Sequence, residues 1–423
     1  MFLRAATLLL MSSLGLGLTA CGTLERPDGP LRIAPANVQR VQDPRISAND
    51  TVKLQALADD MAARLGGDGR GQAMLALSGG GANGAYGAGV VVGWTERGDR
   101  PPFDVVTGVS TGALAAPFAF LGPDWDDELR AAYTGGGTAG LLSARTLSAF
   151  RAPALFSSRV LRALVEQNVT LELLQAIAVE HARGRRLLVA TTNLDSEETV
   201  IWDMGVLAAQ GEPALPLFRD VLVASASIPG VFPPVLIAGL NPDGEVVMDM
   251  HVDGGVNTPF LAIPEDLLLW SSPHPRGSGG ALYIVVNGQV GRNAGVTPGR
   301  LSGILARTYD SMSKASLRMS LAATAAFASR NGLPMSMSAI PDNVSVSSLK
   351  FDTATMEALF ELGRERSASG EAWSSISLSG RPAPLTATQE IPADQIPDVL
   401  APPETKNPAT TGGVSSPEPA PDQ

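Results

Sequence analysis

A serine between glycines stands where an apolar strand-like run meets an apolar helix-like run. It is Ser110, in the segment Gly108-Val109-Ser110-Thr111-Gly112. This spacing is typical of a nucleophile elbow, a sharp strand-to-helix turn that exposes a serine hydroxyl for attack on an acyl group. An ordinary glycine-rich loop gives the same pattern, so the flanking residues must distinguish the two interpretations. Residues 104–107 favour a strand, and residues 111–121 favour a helix that Pro117 should kink or shorten.

A second glycine-rich turn comes earlier in the chain, at residues 79–84 after the apolar run 73–77. Attack of a serine on an ester carbonyl creates an oxyanion, which needs preorganised hydrogen-bond donors. Gly79, Gly80 and Gly81 allow backbone N–H groups to point inward at the start of a helix, where the helix dipole also favours negative charge. These three glycines are therefore candidates for an oxyanion hole.

A glycine triplet can also hold a phosphate, so nucleotide binding is the alternative. The turn lacks the Gly-Lys-Ser/Thr ending of a P-loop, and its Gly79-x-Gly81-x-x-Gly84 match to a dinucleotide fingerprint lacks an acidic residue after the next strand. The net charge of −11 argues against nucleic acid, which clustered cations bind. No cluster of His, Cys and carboxylates has metal-ligand spacing. We expect no nucleotide, nucleic acid, metal or other cofactor.

The third candidate segment is residues 245–255, EVVMDMHVDGG. Its even positions are apolar, whereas Asp249, His251 and Asp253 share the other face, as in a strand between the core and a polar cleft. In open α/β sheets ligands bind beyond the carboxyl ends of strands, so Asp253 and Ser110 are expected to meet there. A serine needs a base, and His251 is the only serious candidate among three histidines, although a cleft-lining role suits it equally well.

Four blocks occur in a characteristic order and rough spacing: Gly79-Gly80-Gly81, Gly108-Val109-Ser110-Thr111-Gly112, Ala226-Ser227-Ile228-Pro229 and Asp253-Gly254-Gly255. Together they resemble the signature blocks of the patatin-like phospholipase family. The resemblance covers roughly residues 70–370, and it includes a segment at 351–366 that is similar to the family's closing helix. Considered without the resemblance, the Ser227-Ile228-Pro229 turn is only a structural helix stop.

The resemblance implies a three-layer α/β/α fold with a central, mostly parallel sheet and a nucleophile elbow. It implies acyl-ester hydrolysis by a dyad, with Ser110 as nucleophile, Asp253 as base and the glycine turn as oxyanion hole, so that no triad histidine is needed. Membrane lipids are then the expected substrate. Thr111 and His251 are expected in or behind the cleft.

One position departs from the family pattern. The family's first block usually has Arg or Lys before its last glycine, where this chain has Asn83. An amide donates hydrogen bonds without a positive charge, so we expect weaker oxyanion stabilisation. Two alternatives to hydrolysis stay open: a catalytically weak or inactive lipid- or partner-binding protein with this fold, and an acyltransferase. No oligomeric state is predicted.

The N-terminus is typical of an export signal. Residues 1–20 carry one cation, an apolar run at 8–18 and small residues before Cys21, a pattern too short for a membrane span. The segment Leu18-Thr19-Ala20-Cys21 resembles the lipobox of bacterial lipoproteins. It implies an exported protein anchored by acyl chains on Cys21 in the outer membrane or cell envelope. An accidental cysteine after an apolar start is the alternative. Because Cys21 is the only cysteine, no intramolecular disulfide forms.

Composition divides the rest of the chain. Residues 21–48 are proline-rich and are predicted to be a flexible tether, residues 49–375 the α/β domain, and residues 376–423 an extended, largely disordered tail. A helix capped by Asn49 or Asp50 should begin the domain, with its apolar face packed on the core rather than on a membrane.

Two further segments carry predictions. Residues 301–327 should form a long helix whose methionines, Met312 and Met319, lie in the core, because filling gaps in a core is the commonest use of methionine. Residues 135–140 form a second glycine cluster that is expected to be a mobile surface loop.

Overall fold

The computed structural model describes residues 44–65, 73–137, 154–240, 245–264, 268, 280–292, 295–376 and 390–401. The predicted signal peptide, Cys21 and His274 lie outside the described residues. So do most of the predicted tether, residues 138–140 of the second glycine cluster, and the end of the tail.

Ten strands of the described chain form one sheet. They are β1 Arg45–Ser47, β2 Ala73–Leu77, β3 Val105–Val109, β4 Arg186–Asn193, β5 Glu198–Asp203, β6 Val235–Leu240, β7 Val246–Asp253, β8 Ala281–Val286, β9 Met335–Ala339 and β10 Ser374–Ile376. The order is β1-β5-β4-β3-β2-β8-β9-β10, with β7 beside β4 and β6 beside β7. Strands β4, β3, β2, β8 and β9 are parallel neighbours, and the outer pairings are antiparallel.

Ten α-helices flank this sheet in the described residues. They are α1 Thr51–Leu65, α2 Gly84–Arg97, α3 Thr111–Leu121, α4 Asp126–Thr134, α5 Arg159–Asn168, α6 Leu171–Ala182, α7 Met204–Ala208, α8 Leu215–Ser225, α9 Leu301–Arg330 and α10 Thr353–Ala368. None of them combines the length and apolar character that crossing a bilayer requires.

The core has two sides because side chains alternate along each strand. Leu75 and Leu77 of β2 join the large cluster under α2, α3 and α8. Ala76 points to the opposite face, where it joins the cluster under α9. Both faces of the central strands are therefore covered, and the expected α/β/α fold with a mostly parallel sheet is confirmed.

The sheet brings β3 and β7 end to end. β3 pairs with β4 as far as Val109 opposite Ala190. From Thr191 onward β7 pairs with β4, antiparallel, with Asp253 opposite Thr191. The C-terminal end of β3 therefore lies next to the C-terminal end of β7, along the same edge of β4.

The structure differs from several local predictions. Arg45–Ser47 pairs with β5, so the last part of the predicted tether belongs to the sheet. Pro117 lies inside α3, which continues to Leu121 because Phe118 and Phe120 are buried beyond it. In the predicted tail, Ile391 and Leu400 are buried. A few apolar side chains suffice to pack residues 390–401 on the domain.

The prediction for the methionines of α9 is wrong. Met312 is 66% exposed and Met319 is 73% exposed. The buried apolar positions of this helix are Leu317, Leu321, Ala325 and Ala328, on its other side. Composition shows that the helix is apolar but does not show which of its apolar residues face the sheet.

Candidate active site

Ser110 lies at a strained turn between β3 and α3. Its backbone φ is 55° and ψ is −126°, a conformation that side chains other than glycine rarely adopt. Gly112 permits the turn, since a Cβ there would lie 2.3 Å from the carbonyl oxygen of Leu77. The N–H of Ser110 donates to Ser225 Oγ over 3.0 Å, and Ser225 Oγ donates to the Ala190 carbonyl over 2.7 Å. The elbow is thus fixed to α8 and β4.

The Ser110 hydroxyl donates to Asp253 Oδ2 over 2.6 Å. The other carboxylate oxygen accepts from the Gly255 N–H over 2.7 Å. The backbone N–H of Asp253 donates to the Ser227 carbonyl, so the Ser227-Ile228-Pro229 turn also supports the acid. Ser110 and Asp253 are each 4% exposed. The predicted meeting of these two side chains is present in the structure.

Burial gives Asp253 the character of a base. Burial raises the pKa of Asp253 from 3.8 to about 7, against the opposing effects of hydrogen bonds from Ser110 and from Gly255. A carboxylate with a pKa near neutrality is ionised in part at pH 7 and accepts a proton more readily than an exposed one. The pair therefore has the geometry and the proton affinity that activation of a serine hydroxyl requires.

The three glycines of the first turn differ in their N–H groups. The Gly79 N–H donates to the Pro259 carbonyl over 3.0 Å, so this N–H is not available to bind an oxyanion. The N–H groups of Gly80 and Gly81 make no hydrogen bond with the described residues. Gly81 has φ +58°, and a Cβ there would lie 2.1 Å from the Ser348 carbonyl oxygen. Of the predicted oxyanion donors, Gly80 and Gly81 remain available.

Two supporting residues were not recognised from the sequence. Asn287 lies directly after β8. Its backbone N–H donates to Ser78 Oγ over 2.8 Å, and its Nδ2 donates to the Ser78 carbonyl over 2.7 Å. Its Oδ1 accepts from Gly87 N–H in α2. Asn287 thus ties the strand before the glycine turn to the helix after it. The sequence feature that could have marked Asn287 is a polar residue at the end of a buried apolar strand. The second supporting residue is Ser225, and the feature that could have marked it is a serine within an apolar helix.

His251 is completely buried, and its Nδ1 lies 2.9 Å from Thr191 Oγ1. Thr191 Oγ1 also accepts from Trp202 Nε1 over 2.8 Å. Burial, and secondarily the charge of Arg45, lowers the pKa of His251 to about 4. The Ser110 hydroxyl donates to Asp253 instead. The structure therefore places His251 behind the pair and out of the cavity wall, which agrees with a supporting role behind the cleft rather than with a base.

Thr111 follows the nucleophile, and Asn83 lies within the glycine turn. Thr111 Oγ1 lies 3.1 Å from the Tyr133 hydroxyl, which donates to the Thr111 carbonyl over 2.6 Å. Thr111 N–H makes no hydrogen bond with the described residues and is a further donor beside Ser110. Asn83 is buried, and its Oδ1 has no partner in the described part of the chain.

An apolar cavity opens from Ser110. Gly81, Ser110 and Thr111 form one end of it, and most of its wall consists of side chains from α3, α5, α8 and neighbouring loops: Phe118, Leu161, Leu164, Val165, Leu222 and Phe232. Such a lining suits a hydrocarbon chain better than a polar group. Among the described residues no group of three His, Cys or acidic side chains is arranged to hold a metal ion.

The fold and the site together define an α/β protein with a nucleophile elbow and a Ser–Asp pair. Residues 75–264 match the model of the patatin-like phospholipase family, so the chain carries a patatin-like phospholipase domain and the predicted family is confirmed. Patatin-like phospholipases act on lipid substrates, and lipid acyl hydrolysis is their general activity.

The chain is also similar to a solved structure, the crystal structure of VipD from Legionella pneumophila. The two share 14% identity, the match covers 73% of this chain and 68% of that one, and the TM-score is 0.37. No curated protein matches the sequence.

Proposed function

We propose that the protein is a lipid-anchored serine hydrolase of acyl esters, of the phospholipase or lipase type. The observation that carries this proposal is the 2.6 Å hydrogen bond from Ser110 Oγ to Asp253 Oδ2. It lies at the end of an apolar cavity and beside glycines with unused N–H groups. These are the nucleophile, base, acyl site and oxyanion donors that ester cleavage needs.

In the first half of the reaction Asp253 takes the hydroxyl proton while Ser110 Oγ bonds to the ester carbonyl carbon. The carbonyl electron pair moves onto oxygen, where the N–H groups of Gly80 and Gly81 stabilise the charge. The intermediate then collapses, the ester C–O bond breaks, and the leaving alcohol takes the proton from Asp253. The acyl group remains on Ser110.

In the second half Asp253 takes a proton from water, which attacks the acyl carbon. Collapse of the second tetrahedral intermediate releases the fatty acid and returns a proton to Ser110. The apolar cavity that begins at Ser110 supports an acyl chain as the part of the substrate bound there. Burial of that chain supplies binding energy in proportion to its length.

A fluorophosphonate probe tests the proposal. The wild-type chain should be labelled covalently, Ser110→Ala should not be labelled, and Asp253→Asn should lose turnover of a long-chain ester. An unlabelled wild-type protein would overturn the hydrolase and favour the binding protein that Asn83 suggests. If labelling occurs but the acyl group passes to an added alcohol faster than to water, the enzyme is an acyltransferase.

The anchor and the location in the cell envelope are part of this proposal and are supported by the lipobox-like segment before Cys21. Each acyl methylene buried in a bilayer contributes about 0.8 kcal/mol, so several chains hold a protein stably. Mass spectrometry of the protein isolated from its membrane should show lipid on Cys21, and Cys21→Ser should abolish it. An unmodified Cys21 would refute the anchor but leave the hydrolase proposal intact.

A further inference from the structure

The apolar cavity that begins at Ser110 runs along helix α3. Four residues of this segment line it: Ser110, Thr111, Leu114 and Phe118. Positions 110, 114 and 118 are four residues apart, so they follow one another on one face of the helix, turn after turn. At a rise of about 1.5 Å per residue, Phe118 lies about 12 Å from the nucleophile along the helix axis. The depth of the cavity can therefore be measured in helical turns.

Helix α8 passes the cavity in the opposite direction. Its last residue, Ser225, accepts from the Ser110 N–H over 3.0 Å, so the C-terminal end of α8 lies at the nucleophile. Leu222, about one turn earlier, lines the cavity. Arg219 lies about one turn earlier again, and its Nε donates to the Val169 carbonyl over 2.9 Å. Val169 also lines the cavity, and this contact places it at the end remote from the nucleophile.

Helix α5 gives the same order of depth. The segment before it lies beside the turn that follows α8, since the Leu155 N–H donates to the Gly230 carbonyl over 3.0 Å. From there the chain leads inward through Leu161 and Val165 to Val169, and these three residues line the cavity. Helices α3, α5 and α8 therefore agree on the direction of the cavity, from the nucleophile inward.

Phe118 closes the inner end of the cavity. Its side chain is 2% exposed, and its ring packs against Trp125 with the ring centroids 6.4 Å apart. The last turn of α3 is held in place by Arg100, whose Nη2 donates to the Ala119 carbonyl over 2.9 Å. A hydrocarbon chain that enters from Ser110 therefore meets a buried aromatic ring on a fixed helix rather than solvent.

We propose that Phe118 limits the acyl chain that the site accepts to about eight to ten carbons. An extended hydrocarbon chain advances about 1.3 Å per carbon, so a depth of about 12 Å holds about nine carbons. The end of a longer chain stays outside the cavity, where its additional methylenes gain no burial. The site is thus selective for esters of medium-chain acids. Selectivity in turnover rests on the proposed hydrolase function, whereas selectivity in binding does not, and the two are tested separately.

Turnover of p-nitrophenyl esters from acetate to palmitate provides the first test. In the wild type kcat/KM should rise about fourfold for each added methylene, up to about ten carbons, and should rise no further beyond that length. Phe118→Ala opens the inner end and should extend the rise by about two carbons or more. Leu114→Phe places a ring one turn nearer to Ser110 and should end the rise at about five carbons. Because Leu114→Phe removes no buried atoms, it decides the question if Phe118→Ala fails to fold.

Phe120 provides the matched control. It is a phenylalanine of the same helix and is completely buried, but it lies outside the cavity wall. Phe120→Ala removes the same atoms from the core as Phe118→Ala, yet it should leave the limiting chain length unchanged. An equal change of that length in both variants would show that loosening of α3, rather than the Phe118 ring, sets the limit, and would overturn the proposal.

Binding provides a second test that needs no catalysis. In the full chain carrying Ser110→Ala, titration calorimetry measures the affinity for straight-chain 1-alkanols, whose hydroxyl carries no charge that would repel Asp253. Affinity should rise about fourfold per methylene up to about ten carbons and then level off. Adding Phe118→Ala should move the levelling to longer chains, and adding Leu114→Phe should move it to shorter ones.

The outcomes separate this inference from the proposed function. Affinity and kcat/KM that keep rising far beyond ten carbons, or a limit that moves in neither variant, would overturn the role of Phe118. A wild type that cleaves none of the esters would contradict the hydrolase. In that case the alkanol titrations alone would decide whether Phe118 sets the length of the bound chain.

Discussion

Ser110 and Asp253 lie 143 positions apart in the chain, yet the serine hydroxyl donates to the carboxylate over 2.6 Å. The reason is the sheet: β7 takes the edge of β4 at Thr191, one residue beyond the last contact of β4 with β3 at Ala190. A carboxylate at the end of one strand therefore faces a nucleophile at the end of another. Both residues lie at or directly after strand ends, which gives the rigid positioning that proton transfer needs.

This pair predicts the pH dependence of turnover. Asp253 accepts a proton only when ionised, and burial raises its pKa to about 7. We expect kcat/KM to rise about tenfold per pH unit below that value and to level off above it. Measurement on a soluble ester between about pH 5 and 8 avoids effects of the membrane. A profile that is flat across this range would exclude Asp253 as the base.

The same shift predicts how stability depends on pH. The folded state holds the Asp253 proton more tightly than the unfolded state, because the pKa rises from 3.8 to about 7. The resulting stabilisation is complete below about pH 4 and is lost as the pH rises through about 7, a change of at most about 4 kcal/mol. Denaturant unfolding of wild type and Asp253→Asn at several pH values isolates this contribution. As the pH rises, the unfolding free energy of the wild type should fall relative to that of Asp253→Asn.

The glycine turn predicts a second loss of activity. Gly81→Ala adds a Cβ at φ +58° and 2.1 Å from the Ser348 oxygen, so the turn must move and its N–H groups lose their direction. We expect kcat to fall about a hundredfold or more. Gly98→Ala is the matched control, since Gly98 has φ +87° but no atom within 4 Å of the added Cβ. Equal losses in the two variants would show that backbone strain, rather than the oxyanion donors, causes the effect.

Ser225 predicts an effect on the elbow. Ser225→Ala removes the acceptor of the Ser110 N–H and leaves that buried donor unsatisfied, a cost of about 1–3 kcal/mol. If the cost falls on the active geometry, kcat should drop about tenfold while KM changes little. Ser227→Ala is the control, because its buried hydroxyl bonds to the Val223 carbonyl of α8, and the variant keeps the backbone carbonyl that accepts from the Asp253 N–H. A change in KM alone would contradict a positioning role.

The sequence predicted the elements that follow local rules. The strand at 73–77 has the predicted bounds, and the elbow and its helix follow from glycine spacing and an apolar run. The prediction of Asp253 depended on one strand face and on the family resemblance. Local periodicity is enough for such elements because each one buries its apolar side chains on the nearest layer.

What the sequence missed depends on tertiary contacts. Gly79, Gly80 and Gly81 are the same residue type in one run, but only the N–H of Gly79 donates to the Pro259 carbonyl. Asn287 and Ser225 act through partners that are distant in the chain, so their local sequence signals do not reveal which groups they hold. Met312 is apolar and helical like Leu317, and only the position of the sheet decides which one is buried. In each case the residues differ in their tertiary contacts rather than in residue type.

His251 provides the last prediction, which concerns the identity of the base. His251→Ala should keep turnover within about tenfold of wild type, because Ser110 donates to Asp253 and His251 contacts Thr191. The variant leaves a cavity and should lose roughly 1–3 kcal/mol of stability, so activity is compared at a temperature where both proteins are folded. Ser110→Ala, with no turnover, sets the lower limit.

The pH profile of the same variant separates the two candidate bases. An ordinary histidine and the buried Asp253 both titrate near neutrality, so a rise of kcat/KM near pH 7 in the wild type alone does not identify the group. Burial lowers the pKa of His251 to about 4, and its removal should therefore leave the rise near pH 7 in place. If His251→Ala abolishes the rise, or reduces turnover to the level of Ser110→Ala, the base is a histidine and the site is a triad.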